Sequence, residues 1–257
     1  MAPVSASSVS ELRARTGVSM LACKEALDEA KGDMEKAIEI LRKRGLAQAV
    51  KKADRAQNAG ALFVAQKADK AAIVSLKCET DFVSRNADFL AIGQGLADTT
   101  LSKGVDAAQK DAASKIPASV LKLGENITVG EVQEVAAAVI GSYVHSNKRI
   151  AVVVGLDKGT PEQAKDVAMH AAAMNPPYVY PEDVPEEVLI KERDIWKEQM
   201  KNEKKPEAIL QKIMLGKERK FREENALAKQ AFVKDNSKSV EQYLGGAKIV
   251  SYERLVI

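Results

Sequence analysis

The chain is short of several residue types, and each shortage excludes something. Its 257 residues include two cysteines, Cys23 and Cys78, far apart and in no CxxC pair, and two histidines, His145 and His170. That excludes a disulfide framework and gives no zinc-ligand spacing. No apolar run approaches the roughly 20 residues of a membrane span. Charge of one sign is also lacking: 39 basic residues face 36 acidic ones, for a net +3, so the concentrated basic footprint of a nucleic-acid binder is absent. The phosphate loop GxxxxGK[ST], a GxGxxG after a strand, GxSxG and HExxH are all missing. No catalysis, cofactor or metal is therefore expected. Residues Met1–Ser5 lack the basic-then-apolar order of a signal peptide; with so few cysteines, the expectation is a cytoplasmic protein with reduced thiols. Aromatics make up only 4% of residues while 46% are hydrophobic and 29% charged. An alanine-rich composition of this kind fits a folded chain that leans helical.

Residues 1–54 read as a three-helix module and a tether. Ser7–Glu11 opens a helix that Gly17 can end in a left-handed cap, and Ser19 starts a second with Met20, Cys23, Leu27 and Ala30 in phase. Gly32 closes it. Asp33 caps a third helix, carrying Met34, Ala37, Ile38 and Leu41, that Gly45 is expected to end. Cys23 falls on the apolar stripe and is read as core. The layout resembles a ubiquitin-associated-type bundle, an interaction module. Met20 and Leu21, at the start of the second helix, fit either core packing or a docking patch. Residues 46–58 form a basic helical tether.

Two α/β units follow, over residues 55–139 and 140–257. Gly60–Val64 and Ala71–Leu76 read as a hairpin, followed by a helix from Asn86. The same order returns in Gly141–His145, the turn Ser146–Lys148, the strand Arg149–Val154, and a helix started by the N-cap Thr160 and Pro161. The recurrence suggests a degenerate duplication. Between the units lie a helix over 105–115, a turn at Gly124 and a strand over 127–135. Inside the second unit, Pro185 starts one charged helix and Pro206 another. The turn Lys201–Lys205 joins them into an antiparallel coiled-coil arm over 182–224, which serves as a spacer or a partner contact. A last strand, 248–257, is placed to rejoin the second sheet. The fold class is α+β with small antiparallel sheets.

The chain is organised around residues 78–89. The strand-like run Ala71–Leu76 leads into Cys78-Glu79-Thr80-Asp81-Phe82-Val83, so the acid–aromatic pair falls on a strand-to-helix corner. Two readings stand side by side. Thr80 or Asp81 caps the helix and Phe82 staples the turn to the core, or Phe82 is a wedge offered to a partner.

Five blocks in order carry a resemblance over nearly the whole chain. They are Leu12–Gly17 with Cys23–Leu27, then Thr80-Asp81-Phe82-Val83, Leu123-Gly124-Glu125-Asn126-Ile127, Gly141–His145, and Ala168–Ala172. The chain resembles the elongation factor Ts family, guanine-nucleotide exchange factors for elongation factor Tu. The resemblance implies a bundle, two subdomains and an arm inserted in the second. It implies that Thr80, Asp81, Phe82 and Val83 disturb the Mg²⁺ and phosphate site of elongation factor Tu, in its GDP-bound and nucleotide-free states. Met20, Leu21, Lys24, Leu123, Gly124 and His145 are implied as further partner contacts. A homodimer or 2:2 complex through core or arm belongs to the same set of expectations; direct nucleic-acid or membrane binding does not. The family's continuation after the last strand is not matched in the residues up to Ile257. Two rival readings are a ubiquitin-like-binding adaptor acting through the bundle, and an RNA-associated protein using Lys51-Lys52 and Lys201–Lys205.

Overall fold

Side-chain caps start the N-terminal helices. In the computed structural model, which describes residues 4–201 and 206–257, Ser5, Ser19 and Asp33 accept from the backbone N–H of Ser8, Ala22 and Lys36. They open α1 (Ala6–Thr16), α2 (Met20–Glu29) and α3 (Met34–Lys52). The first helix thus begins a residue before Ser7, and Gly17 ends it with a left-handed φ of 68°. Leu12, Cys23, Leu27, Ala37 and Leu41 form the buried core between the three helices. Gly45 does not end the third. It is buried in mid-helix, because there α3 meets a neighbouring backbone: a Cβ on Gly45 would lie 2.7 Å from the carbonyl oxygen of Pro117. The expected helical tether is, as far as Lys52, a continuation of α3 with no break at Gly45.

The next unit runs β1 (Ala59–Gln66), β2 (Lys70–Cys78), the single turn α4 (Asp81–Ser84), α5 (Ala87–Lys103), α6 (Val105–Leu123) and β3 (Thr128–Ala136). The helix expected over 105–115 continues through Pro117 to Leu123. Proline there removes one hydrogen bond, to Ala113, but Ala113 lies on the exposed side, where water can take its carbonyl.

The second unit repeats the order with β4 (Val139–Val144), β5 (Ile150–Leu156) and α7 (Pro161–Met174). The capping box at Thr160 with Pro161 starts α7 where the sequence pointed. Then come α8 (Glu186–Met200), α9 (Glu207–Asn225), the short pair β6 (Ala231–Phe232) and β7 (Asp235–Ser239), α10 (Val240–Leu244) and β8 (Ile249–Val256). Of the residues expected to join α8 to α9, 202–205 lie outside the described set. Trp196 and Phe221 meet edge to face across the helix pair, with centroids 5.8 Å apart. Glu218 on α9 pairs with Arg193 at 2.8 Å and with Arg222 at 3.2 Å.

Both three-stranded sheets are antiparallel with the third strand beside the second, β1-β2-β3 and β4-β5-β8. Alternate side chains divide between two cores. Ala61, Phe63, Val74 and Leu76 face α5 and α6, while Val152, Val154 and Leu156 face α7 and α10. The opposite faces, Leu62, Ile73, Ala151 and Val153, meet one another. The result is a helix–sheet–sheet–helix sandwich. Because both of their faces are covered, β5 is a continuous apolar run and β2 is buried from Ala71 to Leu76, with Ser75 its one polar residue there. On the helix side, Gly93 of α5 leaves room for the ring of Phe63, which a Cβ would overlap at 2.1 Å.

Candidate functional site

The corner after β2 is built by one threonine and one glutamate. Thr80 caps α4, its Oγ1 accepting from the N–H of Val83 at 3.5 Å. The Glu125 carboxylate accepts from the N–H of Glu79 and of Thr80, each at 3.0 Å, and from the Thr80 hydroxyl at 2.5 Å. Glu79 in turn accepts from the N–H of Asn126 at 2.7 Å, and the Asn126 amide donates to the carbonyls of Ala53 and Arg55. Backbone donors without helical partners are thereby satisfied, and the corner is tied to the segment behind the bundle.

The phase of α4 decides between Phe82 and Val83. Val83 turns into the helix-side core and Phe82 turns out, 84% exposed. Thr80 takes the capping role, but the apolar anchor is Val83 and not Phe82. Asp81 is exposed and pairs with Arg85 at 3.0 Å. Behind the corner, burial and then the nearby Glu125 charge push the Cys78 thiol up to about 12, so it stays protonated and donates to the Thr80 carbonyl.

The β4–β5 turn forms the facing wall. His145 is exposed; its Nδ1 lies 3.0 Å from the Asn147 side-chain oxygen, which also accepts from the N–H of Arg149. The N–H of Leu62 donates to the Lys148 carbonyl at 2.8 Å, joining this turn to β1. Thr80, Asp81, Phe82 and Arg85 on one side and Ser146–Arg149 on the other line a cleft of about 860 Å³. Leu123 and Gly124 lie next to Glu125. Gly124 ends α6 in a left-handed conformation, φ 79°, and its carbonyl accepts from the Lys52 ammonium. Met20 and Leu21 are 40% and 68% exposed on α2, and Lys24 is exposed one turn on. This second patch is on the bundle and outside the cleft.

His170 is a packed histidine, fully buried. Its Nδ1 accepts from the N–H of Val233, so Nε2–H donates to Gln230; burial holds its pKa below the ordinary value. Among the described residues no three His, Cys, Asp or Glu side chains converge to hold a metal ion, and no helix is long and apolar enough to cross a membrane.

The family profile described as Elongation factor TS matches residues 79–257, from the corner to the last strand. The chain belongs to the elongation factor Ts family. It is 48% identical over 265 residues to elongation factor Ts of Teredinibacter turnerae, covering 99% of this chain and 90% of that protein. It is 39% identical over 273 residues to that of Christiangramia forsetii, with 100% of both covered. Membership places the chain in translation elongation and protein biosynthesis. Glu125 and Asn126, which hold the corner, drew no role from sequence reasoning. The available signal was a carboxylate and an amide directly after a helix-ending glycine.

Proposed function

We propose that this chain is a guanine-nucleotide exchange factor that binds elongation factor Tu·GDP and promotes GDP release through Asp81 and Phe82. The observation that carries the reading is the 84% exposed Phe82 on a corner held by three hydrogen bonds to Glu125. A large apolar ring kept in water on a braced turn is placed to bind something. Such a GTPase holds its nucleotide through a phosphate-cradling loop and a bridging Mg²⁺. A protein that binds the nucleotide-free state better than the GDP state must weaken GDP binding by the same factor. The exchange factor then needs no acid, base or nucleophile of its own. Thr80 and Val83 set the corner, Asp81 and Phe82 perturb the Mg²⁺ and phosphate contacts, and Leu123, Gly124 and His145 extend the contact surface. Met20, Leu21 and Lys24 make a second hold from a ubiquitin-associated-like module, residues 1–54. The core subdomains are 55–139 and 140–257, the second with a coiled-coil arm inserted at 182–224.

The test is stopped-flow release of a fluorescent GDP analogue from purified elongation factor Tu. The wild-type chain accelerates release. Phe82→Ala keeps the fold, because so little of the ring is buried, yet loses about 2–4 kcal/mol of contact with the partner, roughly 30- to 1,000-fold in rate. Release by Phe82→Ala equal to wild type would sink the wedge.

A further inference from the structure

The bundle touches the core at few places, and one of them is backbone against backbone. Where α3 crosses α6, the position of a Cβ on Gly45 lies 2.7 Å from the Pro117 carbonyl oxygen and 3.1 Å from its carbon. Around this crossing, Ala49 packs on the core of the first unit and Leu121 on the core of the bundle. Beyond it the surfaces separate, leaving a cleft of about 750 Å³ lined by Thr16, Arg42, Leu46, Asp88 and Lys122. Outlying ties set the remaining angle, among them the Asn126 amide on the carbonyls of Ala53 and Arg55 just past α3. The Lys52 ammonium caps the Gly124 carbonyl at the end of α6, where a cation is favoured by the helix dipole. Lys122 pairs with Asp88 at 2.7 Å and lies against Gly17, two residues before the cap of α2.

We propose that the Gly45–Pro117 crossing is a positioning contact: it fixes the bundle on the core so that the Met20–Leu21 tip and Phe82 meet the partner as one preorganised two-point surface. The proposal rests on the exchange-factor reading above. Glycine at 45 is required because any side chain separates the helices, and separation lets the tip swing relative to Phe82. Two contacts on one rigid body act with a high effective concentration; two on a loose joint do not. Loosening the crossing therefore weakens capture of the partner without touching the residue that disturbs its nucleotide site.

The experiment uses the full chain with spin labels on Lys36→Cys and Lys103→Cys, on exposed positions of α3 and α5; the native Cys23 and Cys78 are buried. Gly45→Val is expected to keep its circular dichroism, to broaden the label–label distance distribution, and to raise the concentration for half-maximal GDP release roughly tenfold or more. The rate at saturation stays as in the wild type. An unfolded fraction would raise the half-saturation concentration in the same way, so the retained circular dichroism together with the broadened distances is what separates loosened docking from general destabilisation. Gly45→Ala, which adds a single methyl, is read in the same way if the valine variant does not fold. An unchanged distance distribution overturns the proposal, and so does a broadened one with unchanged half-saturation or with a reduced saturating rate. If the wild-type chain does not accelerate release, the exchange reading fails, while the distance measurement on the free protein still reports whether Gly45 sets the docking.

Discussion

Replacing Glu125 with alanine tests what holds the corner. The carboxylate takes two backbone N–H groups and one hydroxyl from residues 79 and 80. Hydrogen bonds to a charged acceptor contribute about 1.5–3 kcal/mol each when sheltered, but Thr80 is exposed and Glu125 only half-buried, so water replaces much of that. A net local loss of about 2 kcal/mol remains, roughly thirtyfold in the population of opened corners. Cys78 reports it. Its thiol is buried and raised to about 12, first by burial and next by the Glu125 charge, so Glu125→Ala both uncovers it and lowers its pKa. Alkylation of Cys78 at pH 8, read by mass spectrometry against the equally buried Cys23, is expected to speed up roughly thirtyfold. GDP release from elongation factor Tu should slow in the same variant while the melting temperature falls little. Cys78 labelling at the wild-type rate would refute the bracing role, whatever happened to exchange.

Other outcomes follow from single contacts. His170 is buried neutral with its pKa lowered from 6.5, by burial against a smaller opposing effect of the Gln230 hydrogen bond. Its contribution to stability is present above about pH 6.5 and is lost as pH falls below that value, because the unfolded chain takes up the proton first; thermal melts from pH 8 to 5 should decline more steeply for the wild type than for His170→Gln. Phe221→Ala should expose Trp196, the only tryptophan, red-shift its emission and destabilise the helix pair by about 1–2 kcal/mol, since Phe221 is half-buried and full truncation costs about 3–5.

Much of the fold was legible because local chemistry and tertiary demand agree. Ser19, Asp33 and Thr160 cap helices where the sequence placed them, and the last strand returns to β5. The end expected at Gly45 and the helix expected over 105–115, which continues through Pro117, were misplaced for one shared reason. Read locally, a glycine ends a helix and a proline breaks one; here both sit in mid-helix, where two backbones cross, a fact of packing that no window of sequence contains. The sandwich of the two sheets was equally hidden. Continuous apolar runs such as Ile150–Leu156 announce burial on both faces but do not say what covers them. At the corner, the choice between Phe82 and Val83 turned on the phase of a single helical turn. The residue that holds the corner, Glu125, acts across 45 positions of sequence.

The root of the helix pair α8–α9 has a consequence for how this chain can vary. Tyr178 and Ala226 are joined by an isolated parallel bridge, and the N–H groups of Tyr178 and Leu227 donate to the carbonyls of Asn225 and Tyr178. The outgoing and returning chains are thus fastened together before the helices begin. Everything beyond that fastening is a closed excursion whose ends stay put whatever its length, since lengthening a loop between fixed ends costs entropy only logarithmically. The excursion is a cartridge: it can be shortened by whole turns, exchanged or extended while β8 still reaches its place beside β5.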